Sequence, residues 1–506
     1  MANNGLIEKR EHWSSRSAFI FASIGSAIGL GNIWRFPRIC AENGGAAFLI
    51  AYVVALFTTG IPILILELAV GQKVQQATPG CFKKVKKNFE WIGWCIVGVG
   101  FMITTYYAVI MGWGCNYFIF SFTREWGAAP REFFYSTFLK TSPASALPGG
   151  WGKLSIPILI GTIVSWVFII GCIWKGVKTV SKVVYFTVLA PWALLIIFVI
   201  RGITLPGAMD GLKYYLFLKA QSGYLLKAST WLNAYTQVFF SLSIGFGIMF
   251  AYGSFMNPKT SIVKNAFIIG ISDSLTAFVG GLAVFCALGY LATPEGGGIA
   301  IESWMGSSLG ICFVAYPTLI NKLPLAGLFG PLFFLMLLTL AVDSAFSLVE
   351  AAIAPVEDKF KWRHKKAMFI VCALAFVLGF PHMFQSGLYW FDTLDNFMNQ
   401  FGLAGACLIE CIILGYVYRA SKIRKDLKQN PENRLGIWWE WMILYISPLV
   451  LIFLIGHEVL ERIKKSYEGY PRSVEFFGGW FVMILIAVVA LIMTLLKTKT
   501  QAEKQE

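Results

Sequence analysis

Twelve stretches of the chain are long and apolar enough to cross a bilayer as helices. About 20 apolar residues span the hydrocarbon core, and the pattern predicts spans at 14–38, 44–72, 89–123, 155–174, 180–201, 231–256, 261–291, 325–357, 366–384, 388–419, 439–461 and 474–496. The connections are mostly short, and the longest are 124–154, 202–230 and 292–324. No segment is long and polar enough for a separate soluble domain. The pattern therefore predicts an all-α, polytopic membrane protein with about 12 transmembrane helices in one domain, 1–506.

Composition supports a membrane protein and excludes several other classes. Hydrophobic residues make up 57% of the 506 and charged residues 14%, against about 25% charged in ordinary soluble domains. Mean hydropathy is +0.66. These values exclude a disordered chain, a nucleic-acid-binding protein and an ordinary soluble enzyme. The ten cysteines lie almost all in apolar stretches without a CxxC, so they indicate small buried hydrophobes rather than a disulfide framework.

The distribution of basic residues predicts the orientation of the chain in its membrane. The net charge is +15, and Lys and Arg collect in cytoplasmic loops of membrane proteins. With the N-terminus inside, most of the 42 lysines and arginines fall on the cytoplasmic side. Arg462, Lys464, Lys465 and Arg472 run against this arrangement and are outnumbered. We therefore expect a multi-pass protein of the cell (inner or plasma) membrane with both termini cytoplasmic.

Two of the predicted spans carry glycine or serine clusters near mid-membrane. Span 1 has glycines at 25, 29 and 31, and span 6 contains the run 241–247, SLSIGFG. Glycine in a helix interior costs about 1 kcal/mol relative to alanine. The two clusters are five spans apart, which predicts an inverted repeat of spans 1–5 and spans 6–10. The repeats would cover 14–201 and 231–419, and helices 1 and 6 would be broken. Two additional helices would follow in 439–496. Close helix packing through small residues is the alternative, which the paired placement disfavours.

Polar groups inside the spans indicate an ion and ligand site. Unwound carbonyls suit Na⁺, and free amides at a half-helix N-terminus suit a carboxylate, so the breaks suggest a zwitterion beside cations. Intramembrane carboxylates are costly and usually functional. Asp343 and Ser344 lie in span 8, Asp273 in span 7 and Glu67 in span 2, and Asn32 follows the first break. For each carboxylate the alternative is a bond to backbone or to a buried arginine that serves packing alone.

An ordered set of motifs resembles the neurotransmitter:sodium symporter family. The segments that carry the resemblance are 9–13, 25–37, 42–45, 60–62, 106–107, 237–247 and 343–344. They extend over nearly the whole chain in family order. The resemblance implies a LeuT-type fold and alternating access. The long glycosylated, disulfide-bearing outer loop of animal members is missing, so the chain resembles a prokaryotic amino-acid transporter.

The resemblance implies two sodium sites. The first would use the Ala27 carbonyl, Asn32, Ser241 and Asp273, together with the substrate carboxylate. The second would use the carbonyls of Gly25, Ile28 and Leu340 with Asp343 and Ser344.

The resemblance also implies a substrate site between the two breaks. Tyr107 and the backbone of Leu30 and Gly31 would bind the substrate carboxylate. The side-chain pocket would be lined by Ile103, Phe240, Ser243, Phe246 and Leu348, and Ala27, Ser241 and Ser344 belong to the same set. Monoamine carriers of the family have an Asp where this chain has Gly29, so the substrate should bring its own carboxylate. A neutral aliphatic or aromatic L-amino acid fits this apolar pocket.

Gates on both sides follow from the same resemblance. The outer gate would pair Arg35 with Asp395, above a lid of Phe246 and Tyr107. The inner gate would involve Arg10, Trp13, Glu350 and Asp358. Phe255 stands where the family usually has Tyr, which removes one hydroxyl from the inner gate.

Chloride-dependent relatives bind their anion with a serine of span 7, and the anchor 278–281 places Ala277 at that position. The same anchor places Asp273 where those relatives have a neutral Asn. Because Asp273 would supply the negative charge permanently, we expect transport without chloride. Uptake of a proton by Asp273 on the return step is a further possibility.

Three other functions compete with sodium-coupled uptake. A membrane-embedded enzyme would need clustered metal ligands, but the histidines at 12, 364, 382 and 457 are far apart. An amino-acid-gated cation channel could use the same cation sites, although gates on opposite sides favour alternating access. A transporter-like receptor is the third alternative. The complete set of predicted ion ligands argues against it, because a receptor would not need them.

Overall fold

The computed structural model describes residues 12–141, 151–217, 222–304 and 308–498, and within them it contains helices and no β-strand. Ten helices are long and apolar enough to cross a bilayer, and they are spans 2–5 and 7–12 of the predicted series: Ala46–Val74, Lys87–Thr123, Ile156–Ile173, Val177–Ile203, Ile262–Leu291, Ala326–Phe360, His364–Met383, Gly387–Val417, Trp438–Gly469 and Arg472–Leu495. The expectation of an all-α, polytopic membrane protein is confirmed.

The two remaining spans are interrupted. Span 1 consists of Arg16–Ala27 and Leu30–Glu42, bent by 54° at the break. Span 6 consists of Ala228–Ser241 and Ile248–Ser254, each too short to cross a bilayer alone. The twelve predicted spans are therefore ten continuous helices, one bent pair and one pair separated by residues 242–247.

The breaks differ in their backbone conformation. In span 1 the backbone is extended at Ile28 (φ −80°, ψ 100°) and Gly29 (φ −131°, ψ −166°). In span 6 three residues adopt positive φ, namely Ser243 (54°), Gly245 (78°) and Gly247 (81°). Glycine adopts this region readily, whereas a serine there costs of order 1–2 kcal/mol. Ser243 therefore holds a strained backbone conformation inside the second break.

Short helices occupy connections that the sequence presented as polar loops. Ala208–Leu216 lies in the predicted loop 202–230, where Tyr215 is fully buried and its hydroxyl donates to the Phe278 carbonyl of span 7 (3.1 Å). Such helices are too short to appear as spans in a hydropathy pattern. The others are Thr78–Val85, Pro130–Glu132, Phe133–Phe138, Ser222–Leu226, Ile301–Trp304, Ser308–Gly310, Ile311–Ala315, Tyr316–Lys322 and Ala420–Leu427.

Burial separates central spans from peripheral ones. We compared how much of the most apolar 18 residues of each span is buried inside the protein. The buried share is 83% in span 8 and 78% in span 3, but only 28% in span 11 and 22% in span 12. Side chains of the outer two spans, such as Leu449 and Leu491, are exposed and apolar, as a lipid-facing surface requires. Both breaks lie against the central pair. A Cβ on Gly100 of span 3 would lie 2.7 Å from the Phe246 carbonyl, and Ser344 of span 8 donates to the Ser26 carbonyl (3.2 Å).

Candidate functional site between the two broken helices

Hydroxyl groups join the two breaks at the centre of the protein. The Ser243 hydroxyl donates to the Ser26 carbonyl at 3.0 Å, and the Ser344 hydroxyl donates to the same oxygen at 3.2 Å. The Ser26 hydroxyl donates to Ser347 Oγ at 2.9 Å. Ser26 therefore links span 1 to both span 6 and span 8. Sequence reasoning assigned Ser26 no role, although it lies inside the glycine cluster 25–31 of span 1.

A narrow buried cavity lies beside these hydroxyls. Its lining includes ten of the residues predicted to bind substrate: Ala27, Gly31, Ile103, Tyr107, Phe240, Ser241, Ser243, Phe246, Ser344 and Leu348. Leu30 does not belong to this lining, but its backbone N–H donates to the Tyr107 hydroxyl at 3.5 Å. The cavity is also lined by Ser26, Gly29, Asn32 and Ile248. Among the described residues no charged side chain lines it. Of its hydroxyl-bearing residues, Tyr107, Ser241, Ser243 and Ser344 were predicted and Ser26 was not.

The predicted ligands of the first sodium ion lie together at one side of the cavity. Asp273 is fully buried, and its carboxylate accepts from Asn32 Nδ2 (2.8 Å) and from the Ser241 hydroxyl (2.8 and 2.9 Å). Asn32 Oδ1 accepts from the Gly29 N–H (3.1 Å). Ala27 lies beside this group in the cavity wall. Among the described residues Asp273 forms no ion pair, so this carboxylate is without a protein cation.

The predicted ligands of the second sodium ion lie around Asp343. This side chain is buried, and its Oδ1 has no hydrogen-bond partner among the described residues. The backbone of span 1 passes close by, since a Cβ on Gly25 would lie 2.6 Å from Asp343 Oδ2. Ile28 supplies the extended backbone of the break, and Leu340 lies one turn before Asp343 in span 8.

Above the cavity the predicted outer gate is closed. Arg35 Nη1 lies 3.6 Å from Asp395 Oδ2, and the Arg35 guanidinium lies 4.7 Å from the centre of the Phe240 ring. The Tyr106 hydroxyl also donates to Asp395 Oδ1 (2.8 Å), a contact that sequence reasoning did not assign. Phe240 and Phe246 pack edge to face with ring centres 6.1 Å apart. These side chains separate the cavity from a vestibule of about 390 Å³ that lies beyond the predicted gate.

Below the cavity, Trp13 attaches the start of span 1 to the end of span 6. Its indole N–H donates to the Tyr252 carbonyl, and its backbone N–H donates to the Phe255 carbonyl, both at 3.1 Å. Phe255 thus contributes its carbonyl and its ring, which packs against Trp13 at 6.4 Å. Arg16 reinforces this closure through two bonds to Asn265 of span 7 (3.0 and 3.1 Å), a contact that the sequence did not predict.

Two of the other predicted inner-gate residues, Glu350 and Asp358, lie within the described part of the chain. Asp358 accepts from the Ala77 N–H (2.7 Å), at the start of the helix Thr78–Val85, and Glu350 is buried within span 8. Arg10 lies outside the described residues. Glu67 does not face the cavity, because its Oε1 accepts from the Gly245 N–H at 2.7 Å. For Glu67 the structure thus shows the alternative weighed from the sequence, a bond to backbone.

Comparison with known proteins identifies the family to which this arrangement belongs. The model of the sodium:neurotransmitter symporter family matches residues 10–130 and 125–501.

The chain belongs to the sodium:neurotransmitter symporter family.

Its relatives in this family span almost the whole chain. An uncharacterised sodium-dependent transporter of Methanocaldococcus jannaschii is 36% identical over 97% of this chain and 98% of its own. The human sodium- and chloride-dependent taurine transporter is 30% identical over 97% of this chain and 86% of its own. The human sodium- and chloride-dependent creatine transporter is 31% identical over 98% of this chain and 85% of its own. The chain is therefore a multi-pass symporter of a sodium-dependent family, and the family consists of transporters rather than enzymes.

In the described residues no group of three or more His, Cys, Asp or Glu side chains could hold a metal ion.

Replacing Gly29 with alanine is expected to reduce transport by this symporter about tenfold or more. The added methyl group would overlap the Ser344 hydroxyl and lie 3.2 Å from the Tyr107 hydroxyl, so both must shift. Overpacking costs about 1–3 kcal/mol, and ~1.4 kcal/mol is a factor of ten. Initial uptake rates in proteoliposomes measure the effect. Gly171→Ala in span 4 is the matched control, because no atom lies within 4 Å of a Cβ there. Equal rates for both variants would contradict the assigned crowding.

Proposed function

We propose that this symporter couples Na⁺ entry to the uptake of a neutral, hydrophobic L-amino acid. The observation that carries the proposal is the closed cavity between the two breaks. It contains Asn32, Ser241 and Ser344 from the two predicted ion sites, and its lining includes no charged side chain that could pair with a charged substrate. Closed contacts above and below fit alternating access, in which one gate opens at a time.

Two sodium ions per cycle are part of the proposal. Asp273 and Asp343 are both almost completely buried, and within the described residues neither forms an ion pair. An isolated buried charge costs several kcal/mol, so each carboxylate is stable as an anion only beside a cation. Carbonyl, hydroxyl, amide and carboxylate oxygens at these places are hard ligands, which suit Na⁺.

The cavity lining supports an α-amino acid as the substrate. The Tyr107 hydroxyl and the Leu30 N–H lie together near Gly29, where they could bind a carboxylate. Gly29 itself brings no acidic group to pair with an amine. Ile103 and Leu348 present apolar surface to the other end of the substrate. A neutral amino acid with an aliphatic or aromatic side chain satisfies both ends.

Chloride independence distinguishes the proposed cycle from that of the taurine and creatine transporters. Asp273 places a carboxylate within hydrogen-bond distance of Asn32 and Ser241. Ala277, one turn further along span 7, is buried and carries no hydroxyl for an anion. A fixed carboxylate at the ion site removes the need for a bound anion.

The membrane arrangement in the proposal follows from the sequence. Spans 1–5 and 6–10 form inverted repeats, 14–201 and 231–419, and 439–496 adds two helices. The breaks at Ile28 and Ser243 occupy the first span of each repeat, which supports this division. The protein lies in the cell membrane with both termini on the cytoplasmic side, where the basic loops are expected.

Uptake of a labelled amino-acid panel into proteoliposomes tests the function. An inward Na⁺ gradient should drive accumulation of one or more neutral hydrophobic amino acids, and replacing Na⁺ with K⁺ or choline should abolish it. Accumulation that continues without Na⁺ would contradict the proposal. Single-channel currents would support an amino-acid-gated channel instead, and binding without accumulation would support a receptor.

Membrane potential is expected to accelerate this uptake. Two Na⁺ with one zwitterion carry two positive charges inward, each worth about 2.3 kcal/mol per 100 mV. Imposing an inside-negative potential with valinomycin and a K⁺ gradient should therefore raise the initial rate several-fold. The same vesicles clamped at zero potential are the control. A rate that does not respond to potential would exclude net charge movement and hence this coupling.

A further inference from the structure

The short helix Thr78–Val85, in the connection between spans 2 and 3, reaches the break of span 6. Thr78 is buried, and its hydroxyl donates to the Gly247 carbonyl at 3.2 Å. Gly247 is the last residue before the half-helix Ile248–Ser254, and the residue before it, Phe246, lines the cavity. The Thr78 hydroxyl therefore bonds to the turn from which both the cavity wall and the half-helix extend.

Close packing surrounds this hydrogen bond. Gly247 has a φ of +81°, and a Cβ there would lie 2.9 Å from Thr78 Oγ1. A glycine at 247 therefore serves both the backbone conformation of the turn and the approach of the hydroxyl. One turn further along the short helix, the Phe82 ring lies 6.0 Å from the Phe250 ring of the half-helix, and both side chains are fully buried.

The start of the short helix is fixed to spans 3 and 8. A Cβ on Gly93 of span 3 would lie 2.4 Å from Pro79 Cα, so any side chain at 93 would collide with the backbone of the short helix. The Ala77 N–H donates to Asp358 Oδ2 of span 8 at 2.7 Å. A carboxylate is favourable at this end of a helix, because the backbone N–H groups there are not paired within the helix.

Two ion pairs fix the other end of the same helix. Glu90, at the start of span 3, lies 2.6 Å from Lys359 of span 8 and 2.8 Å from Lys83 of the short helix. The Glu90 and Lys359 side chains are nearly buried, and removing one partner of such a pair is strongly destabilising. The short helix is thus attached at both ends to spans 3 and 8, which themselves contribute to the cavity lining.

We propose that Thr78 is a positioning residue for transport, whose hydroxyl holds the turn at Gly247 in the closed arrangement. The Gly247 carbonyl also accepts from the Ala251 N–H at 3.2 Å, but that bond belongs to the half-helix itself. The Thr78 bond instead ties the turn to a helix that is fixed on spans 3 and 8. Thr78 does not belong to the cavity lining, so it acts on transport through Gly247 and the adjacent lid residue Phe246.

Hydrogen–deuterium exchange of the full-length protein in lipid, measured by mass spectrometry with Na⁺ present, tests this bond without a substrate. Thr78→Val has a similar size but no hydroxyl, and it should raise the exchange rate of the amides in 248–254 about fivefold. Thr78→Ser keeps the hydroxyl and should exchange at close to the wild-type rate. The matched control is Thr162→Val, because the buried Thr162 hydroxyl donates within its own helix, to the Ile158 carbonyl (2.8 Å). Equal exchange in 248–254 for Thr78→Val and Thr78→Ser would overturn the proposal.

Transport measurements test the consequence for the cycle and rest on the proposed function. Thr78→Val should bind radiolabelled Na⁺ within about twofold of wild type but take up the labelled amino-acid panel about fivefold more slowly, and Thr78→Ser should restore the rate. Parallel losses of Na⁺ binding and uptake would show a general loss of structure and reject a positioning role. A wild-type protein that takes up none of the panel would contradict the proposed function, while the exchange measurement still decides the role of Thr78.

Discussion

Replacing Asp343 with alanine is expected to weaken Na⁺ binding about 100-fold or more and to abolish uptake together with it. Asp343 is 1% exposed, and its Oδ1 has no partner among the described residues. In the proposed site its partner is a sodium ion. Removing one partner of a buried ion pair costs about 3–5 kcal/mol, and each ~1.4 kcal/mol is tenfold. Radiolabelled Na⁺ binding and proteoliposome uptake measure the two effects.

Two further variants separate charge from packing at this site. Asp343→Asn keeps the size of the side chain but not its charge, and it should lose Na⁺ affinity nearly as fully as the alanine variant. Asp210→Ala is the matched control, because Asp210 is an exposed carboxylate whose ion pair with Lys213 is also exposed. It should leave binding and uptake unchanged. Wild-type sodium dependence in Asp343→Ala would show that Asp343 is structural and that the second ion site is wrongly assigned.

Replacing Asp273 with asparagine is expected to reduce uptake about 100-fold, and chloride is expected to restore part of it only when a serine replaces Ala277. In wild type the Asp273 carboxylate lies 2.8 Å from both Asn32 Nδ2 and Ser241 Oγ and supplies fixed negative charge. Asparagine removes the charge, so the cation loses its counterion at a cost of about 3 kcal/mol or more. A serine at 277 offers a hydroxyl to a chloride ion, which replaces that charge.

Uptake in chloride and gluconate media distinguishes these states. Wild type and Ala277→Ser should transport equally in both media, because Asp273 is present in each. Asp273→Asn should be weak in both media, and the double variant should recover in chloride alone. Asp273 would not be the compensating charge if wild-type uptake needed chloride, or if Asp273→Asn transported at the wild-type rate.

Local patterns made the interrupted helices predictable. Glycines at 25, 29 and 31 and the run 241–247 weaken helix locally, and the structure breaks span 1 at Ile28 and Gly29 and span 6 after Ser241. Lengths of apolar runs likewise predicted the continuous spans. Short helices such as Ala208–Leu216 were missed because a hydropathy pattern responds to length, and these lie beside spans rather than across a membrane.

Contacts between distant segments could not be predicted in the same way. The Arg16–Asn265 bonds join residues 249 positions apart, and the Tyr106–Asp395 bond joins residues 289 apart. Nothing local in either sequence segment specifies the partner, because the packing of spans 1, 7, 3 and 10 creates it.

Residue types predicted most of the cavity wall but not all of it. The predicted lining combined apolar side chains with Tyr107, Ser241, Ser243 and Ser344, and the cavity also includes Ser26, three residues before Gly29. The direction of a side chain near a break depends on dihedral angles that the sequence does not specify. The contribution of Ser26 to the wall therefore required the structure.

The reversal potential of amino-acid flux measures the central claim, sodium-coupled uptake with two Na⁺ per substrate, most directly. Proteoliposomes with fixed Na⁺ and amino-acid gradients are held at a series of potentials, and the potential of zero net flux gives the coupling ratio. We predict a potential that corresponds to two Na⁺ per amino acid and that does not change when gluconate replaces chloride. A reversal potential that does not depend on the Na⁺ gradient would contradict sodium coupling. A ratio of one Na⁺ per amino acid would contradict the second ion site.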